Sequence, residues 1–196
     1  MPPRPGLDTA TVVKAAAELI NAEGVDALSL SRLAGLLGIR TPSLYNHIDG
    51  LPGLRRELAL MNARRLGDLL GNAAIGKSGP EALMAVAQAY RAYIKECPGL
   101  YAMSLRASGM QAPVDVELQS AENRAVEIAM AVVASFGLAG EDGLHAVRGL
   151  RSLVHGFATL EVAGGFGLPL DCDESFRRLV SMFIRGLGQS SSKGES

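Results

Sequence analysis

The sequence predicts an all-α protein: a helix-turn-helix N-terminal domain followed by a larger helical bundle, about nine helices in all. Three observations predict this. Apolar residues recur at helical spacing through most of the chain, and no stretch alternates with the period of a strand. The apolar mass is Ala, Leu, Val and Gly, with no Trp and only 5% aromatics, a composition that suits closely packed helices. Gly and Pro punctuate the chain at intervals of one helix rather than one strand.

The first helix is expected from Thr9 to Ala22, with Asp8 placed to cap it and Leu7 and Val12 at the spacing of a hydrophobic staple. Val13, Ala16, Ala17 and Ile20 form its apolar stripe, and Gly24 stops it. The segment Leu28–Gly53, LSLSRLAGLLGIRTPSLYNHIDGLPG, then reads as a short helix, a tight turn and a second short helix. Ser29 and Ser31 offer hydroxyl caps, Leu33, Ala34 and Leu37 line the inner face, and Gly38 ends the first of the pair. Ile39 plugs the turn. Pro42 opens the second helix, where its missing N–H costs nothing. With Leu44 and Ile48 facing inward, Thr41, Ser43, Tyr45, Asn46 and His47 are left mostly outward. These are compact hydrogen-bonding groups suited to phosphates and base edges, the kind of face that a helix-turn-helix lays in a DNA major groove.

A fourth helix is expected from Leu51-Pro52 to Leu70, with Leu54, Leu58, Met61 and Leu69 inward. GNAAIGKSG (71–79) then marks a domain boundary, dividing the chain into 1–70 and 71–196. Pro80 begins a fifth helix carrying Leu83, Val86, Ala87, Tyr90 and Ile94, which ends at Cys97-Pro98-Gly99. A short sixth covers Gly99 to Ser108. The seventh runs from Pro113 to Phe136 with Leu118, Ala121, Ala125, Ile128, Val132 and Phe136 at helical spacing. The eighth spans Glu141 to Ala163. The ninth spans Glu174 to Leu187, with Phe176, Leu179, Val180, Phe183 and Leu187 on one side. The polar tail SSSKGES is expected to fray.

The eighth helix is apolar on two faces. One strip is Leu144, Val147, Leu150, Val154, Phe157 and Ala158; the other is Ala146, Gly149, Leu153, Gly156, Leu160 and Ala163. One monomer's core covers only one strip, and Gly149 and Gly156 permit a close helix approach. The simplest completion is a homodimer in which the last two helices of each copy form a four-helix bundle. Gly149, Leu153, Gly156, Leu160, Phe176, Val180 and Phe183 are the interface candidates.

Two sets of residues carry a resemblance to a known family. The first is Ala15-Ala16, Glu23-Gly24, Arg32-Leu33-Ala34-Gly35-Leu36-Leu37-Gly38-Ile39 and Ser43-Leu44-Tyr45-Asn46-His47-Ile48. It resembles the DNA-binding domain of the TetR family of bacterial transcriptional regulators over the first quarter to third of the chain, and the Leu-Tyr-x-His element after Leu-Gly-Ile is the specific part. The second is Arg151-Ser-Leu-Val-His155-Gly156-Phe157 with Glu161, Gly165-Phe166, Ser175-Phe176 and Gly186-Leu187. It resembles a C-terminal subtype of that family named for a Trp-His-Gly triplet, with Val154 in place of the Trp. The resemblance implies DNA contacts at Ser31, Thr41, Pro42, Ser43, Tyr45, Asn46 and His47. Arg40, just before the recognition helix, and Arg4, in the N-terminal arm, are further phosphate or minor-groove candidates. Where the family opens its fourth helix with a phosphate-binding Lys, this chain has Leu51, which leaves that role to Arg55, Arg56 or the backbone. The resemblance also implies an effector cavity among the fifth to eighth helices. Met84, Tyr90, Tyr93, Tyr101, Met103, Phe136 and Phe157 are the large or amphipathic side chains there. None carries a charge, which favours a neutral or lipophilic ligand.

Net charge is −1, so the chain is not basic overall, but it divides into +2 over residues 1–65 and −3 over the rest. Cys97 and Cys172 form no CxxC, and His47, His145 and His155 are scattered, so no metal site and no cofactor is expected. His155, in an otherwise apolar helix, reads as an interface histidine. No nucleophile elbow, P-loop or dinucleotide fingerprint appears, and Gly164-Gly165-Phe166-Gly167 reads as a turn. MPPRPGLD lacks a signal-peptide core, and no apolar run is long enough to span a membrane. A reduced cytoplasmic chain that is not an enzyme is expected. Its partners would be a double-stranded DNA operator, a small-molecule effector and a second copy of itself, and a repressor is the expected form. The alternative is a helical small-molecule carrier or enzyme that keeps the fold without binding DNA.

Overall fold

The computed structural model describes residues 7–107 and 115–190, and these residues are all helix and turn. Among them lie nine α-helices and one 3₁₀ turn, in two compact units. Arg4, the ends of the predicted sixth and seventh helices at Ser108 and Pro113, and residues 191–196 lie outside the described residues.

The first unit takes the chain up to Ala63 together with Cys97–Leu118. It begins with α1 (Thr9–Glu23), where the Asp8 carboxylate accepts the Thr11 N–H at 2.7 Å. Val12, Val13, Ala16, Ala17, Leu19 and Ile20 of α1 are buried. A 3₁₀ turn at Val25–Ala27, absent from the sequence expectation, leads into α2 (Leu30–Leu37). Ser29 caps α2 by accepting the Arg32 N–H at 3.3 Å, and Ser31, the other proposed cap, lies exposed inside the helix. Gly38 closes α2 in the left-handed region, φ 67° and ψ 30°, a conformation that an L side chain would resist. α3 (Thr41–Leu44) is a single turn of helix with Pro42 at its start. α4 (Gly50–Ala74) follows; it runs to Ala74 rather than Leu70, so the predicted break shortens to a few residues before α5 (Gly79–Glu96). Leu54 and Leu58 are fully buried as expected, whereas Met61 and Leu69 are half-buried and Leu60, Leu66 and Leu70 take core places instead.

α6 (Pro98–Ala107) belongs to this first unit because its N-terminus lies directly on α1. Asn21 Oδ1 accepts the Leu100 N–H at 2.9 Å. A Cβ on Gly99 would sit 1.9 Å from the Ile20 carbonyl oxygen, so only glycine permits this crossing. Local periodicity carries no trace of the contact, since it joins residues nearly eighty positions apart.

The second unit takes Arg64–Glu96 and the chain from Gln119 onward. α5 buries Leu83, Val86, Ala87, Tyr90 and Ile94 as the spacing predicts. α7 (Val116–Ala134) buries Ala129, Val132 and Val133 and leaves Leu118, Ala121, Ala125 and Ile128 half-buried; it ends before Phe136, which is half-buried in the turn that follows. α8 (Gly140–Val162) packs along α5, and α9 (Cys172–Ser190) packs on both. Ala146 joins Val147, Leu150, Val154 and Ala158 in the core, while Leu144, predicted in that strip, is 45% exposed at the start of α8. Neither Cys97 nor Cys172 forms a disulfide.

Candidate nucleic-acid interface

The polar face predicted on the second helix of the motif is held from beneath by two apolar anchors. Leu44 is 0% and Ile48 5% exposed. Beyond Leu44 the backbone does not continue as α-helix. Tyr45 keeps helical angles (φ −66°, ψ −11°), and the next turns close through Tyr45 N–H to the Pro42 carbonyl at 3.3 Å and His47 N–H to the Leu44 carbonyl at 2.9 Å. The recognition element is therefore one α turn followed by tighter turns. It ends at Gly50, whose φ of 64° redirects the chain into α4. Thr9 Oγ1 donates to the His47 carbonyl at 2.9 Å and ties the element to the start of α1.

On this scaffold Ser31, Arg40, Pro42, Tyr45 and Asn46 are exposed, with Tyr45 at 60%, while Thr41, Ser43 and His47 are half-buried. An exposed phenol and an exposed amide side by side above a buried Leu can reach both a sugar-phosphate edge and a base edge. Leu51 is half-buried at the second position of α4. Of the two arginines left to replace the missing Lys, Arg55 is exposed, but Arg56 is engaged by acids. Its Nη1 donates to Glu57 at 2.6 Å, its Nη2 to Asp115 at 3.1 Å and Glu117 at 2.7 Å, and its Nε to the other oxygen of Asp115. The Asp115 carboxyl is held below its usual range, first by Arg56 and then by the Leu118 N–H.

The predicted effector residues fall in both units. Tyr101 and Met103, each 3% exposed, are core residues of the first unit. Met84, Tyr90, Tyr93, Phe136 and Phe157 lie in the second; Tyr90 and Tyr93 are buried and the other three half-buried. A cavity of about 230 Å³ does open in that second unit, lined by Phe157, Gly165, Phe166, Gly167, Leu168, Leu170, Cys172 and Ser175. Of the predicted set only Phe157 lines it. The segment read as a turn, Gly164 to Gly167, is a turn between α8 and α9, and its Gly165, Phe166 and Gly167 also build one wall. The lining is apolar apart from the Cys172 thiol and the Ser175 hydroxyl, which donates to the Asp171 carbonyl at 2.9 Å.

Behind the cavity wall lies a feature that sequence reasoning missed. The Arg91 guanidinium on α5 stands 5.3 Å from the Phe157 ring centre and 4.9 Å from that of Phe176. Its Nε and Nη2 donate to the two oxygens of Glu161 at 2.7 Å each, and its Nη1 lies 2.8 Å from Asp173. Lys95 adds a bond to Glu161 at 2.6 Å. Arg91 and then Lys95 hold the Glu161 carboxyl below the usual carboxylate range. The available signal was a lone Arg on the stripe of Ala87, Tyr90 and Ile94, where a charge must find a partner.

Two interface candidates need correcting. Phe176 is 1% and Val180 0% exposed, because α5 and α8 of the same chain already cover them. They support the α8–α9 pair from inside and present nothing to a second copy. Gly149, Leu153, Gly156 and Phe183 are half-buried, and Leu160 is 52% exposed. A Cβ on Gly149 would come 3.1 Å from the Phe183 ring, whereas one on Gly156 would meet nothing within 4 Å. His155 is half-buried on the same helix. Among the described residues no group of His, Cys, Asp and Glu is arranged to hold a metal, and no helix is long and apolar enough to cross a membrane.

The chain is similar to known proteins along nearly its whole length. Residues 83–183 match the family model described as the tetracyclin repressor-like C-terminal domain. YobS, an HTH-type transcriptional regulator of Bacillus subtilis, is 35% identical over 188 residues, covering 95% of this chain and 96% of YobS. A solved structure from Rhodococcus sp. RHA1, described as a protein of unknown function, superposes with a TM-score of 0.83 at 23% identity and covers 96% of this chain and 100% of its own. A TetR variant from Acinetobacter baumannii, solved in complex with minocycline, superposes at 0.67 with 22% identity, covering 93% and 97%.

Proposed function

The chain belongs to the TetR family of transcriptional regulators, and we propose that it is a ligand-responsive repressor that binds a palindromic operator as a homodimer. Residues 1–70 carry the DNA contacts, and residues 71–196 carry the effector site and the dimer contact. The observation that supports this most directly is the exposed Tyr45-Asn46 pair standing on buried Leu44 and Ile48 in the family's Leu-Tyr-x-His register. Tyr45, Asn46, Thr41, Ser43 and Pro42 face the groove, with Ser31, Arg40 and His47 on its phosphate walls. Arg55 takes over the charge that Leu51 lacks.

Two such elements related by a two-fold axis would enter successive major grooves about 34–36 Å apart. Gly149, Leu153, Gly156, Leu160 and Phe183 form the dimer contact. The effector is a small, neutral or lipophilic molecule. The apolar cavity beside Phe157 favours that chemistry. It releases DNA only if it binds the DNA-incompetent conformation more tightly than the competent one.

The test is a fluorescence-anisotropy titration at fixed salt, using a duplex that the protein itself has enriched from a random pool. Tyr45→Ala and Asn46→Ala should each weaken binding by about 1–3 kcal/mol with no change in melting temperature, because both side chains point outward. Wild-type affinity in both variants would remove these residues from the interface.

A further inference from the structure

We propose that Arg56 is a positioning residue, a latch through which the start of α7 holds α4 in place, and that it is not a phosphate contact. The proposal rests on the DNA-binding reading of the first unit and adds to it the element that sets where α4 lies. All three nitrogens of the Arg56 guanidinium are engaged by acidic side chains. Asp115 grips it with both oxygens, Glu117 takes Nη2 and Glu57 takes Nη1. One cation faces three carboxylates, so a phosphate approaching Arg56 would meet net negative charge.

Asp115 does two things at once. Besides holding Arg56, its Oδ1 accepts the Leu118 N–H at 3.1 Å and so caps the first turn of α7. The start of one helix is thereby tied to the first turns of another, and α4 leads back through Gly50 to the recognition element. A second contact does the same for α6, which Asn21 and the Gly99 crossing fix to α1. Both α6 and the start of α7 are thus built into the unit that carries the polar face. A displacement of either must move α1 or α4 or break these contacts. The side chains of the latch are 29–51% exposed, so each pair alone is weak. The restraint lies in one planar guanidinium satisfying several carboxylates together.

The experiment uses Arg56→Gln, Asp115→Asn and the double variant of the full chain. Asn remains a good N-cap, so Asp115→Asn removes the charge and the second oxygen that grip Arg56 and leaves the cap of α7. Amide hydrogen exchange on the free protein should show lost protection at the starts of both α4 and α7 in each variant. Affinity for the protein-enriched duplex should fall about three- to tenfold in each, with the double variant no weaker than either single. The salt dependence of binding should keep its slope, because no phosphate contact is lost. Tighter binding with a steeper salt slope in Asp115→Asn would show a freed guanidinium reaching phosphate, and would overturn the proposal. Additive losses, or exchange confined to one helix, would overturn it as well. If the unaltered protein enriches no duplex, the DNA-binding reading fails, and the exchange result on the free protein alone decides the latch.

Discussion

Glu161→Gln tests the buried ion pair that joins α5, α8 and α9. The substitution keeps size and shape but removes the charge that faces Arg91. Only 9% of the Arg91 side chain and 14% of the Glu161 side chain is exposed, so water cannot replace the lost partner. Removing one member of such a pair typically costs about 3–5 kcal/mol. Arg91 would still have Asp173 at 2.8 Å and the faces of Phe157 and Phe176, which lowers the expectation to about 2–3 kcal/mol. For a chain of this length that corresponds to a melting temperature lower by roughly 4–12 °C. The pH dependence supplies a second readout. The Glu161 carboxyl is held below its ordinary value of 4.5 in the folded chain, so its contribution is complete above that pH and is lost as pH falls through the folded value. Glu174, held near 2 by Arg177 and Arg178, and Asp115 titrate in the same acid region, so the comparison is between variant and parent. Scanning calorimetry from pH 7 to pH 3 should show the gap between the two narrowing below pH 4.5. Equal melting temperatures at pH 7, or a gap that persists unchanged in acid, would refute the assignment of stability to this pair.

Leu51→Lys should restore a phosphate contact at the start of α4, raising specific and non-specific affinity together and steepening the salt dependence by about one counterion per subunit; an unchanged slope would place residue 51 away from the phosphates. Gly156→Leu should leave the folded chain intact, since a Cβ at this position meets nothing within 4 Å in one copy, but should disrupt dimers in light scattering. Phe183→Asp should also give monomers, by placing a charge in the contact at a cost of several kcal/mol; a fully dimeric Phe183→Asp protein would move the interface elsewhere, to the half-buried Ile128 face of α7 in the first instance.

What was legible in the sequence was local. The Asp8 and Ser29 caps, the Gly24 and Gly38 stops, the buried stripe of α5 and the anchors Leu44 and Ile48 all follow from spacing and turn chemistry. So does the exposure of Tyr45 and Asn46, whereas Thr41, Ser43 and His47 of the same set are half-buried. Long-range pairing was not legible. Nothing near Arg91 in sequence names Glu161 or Asp173, and nothing near Arg56 names Asp115. A helical stripe reports that a face is covered and not by what. For that reason Phe176 and Val180 read as interface when α5 and α8 already bury them. The effector candidates show the same limit. Large amphipathic side chains such as Tyr93 and Tyr101 fill cores as readily as they line cavities, and the cavity beside Phe157 borrows its wall from a glycine-rich turn.

The most direct test of the central proposal is selection of duplexes from a random pool by the full chain, followed by sequencing. A symmetric dimer presenting two Tyr45-Asn46 elements should enrich an inverted repeat, with half-site centres about one helical turn apart. Tyr45→Ala, run in parallel, should enrich it weakly or not at all. Enrichment of sequences without two-fold symmetry, or of none above background, would contradict the account.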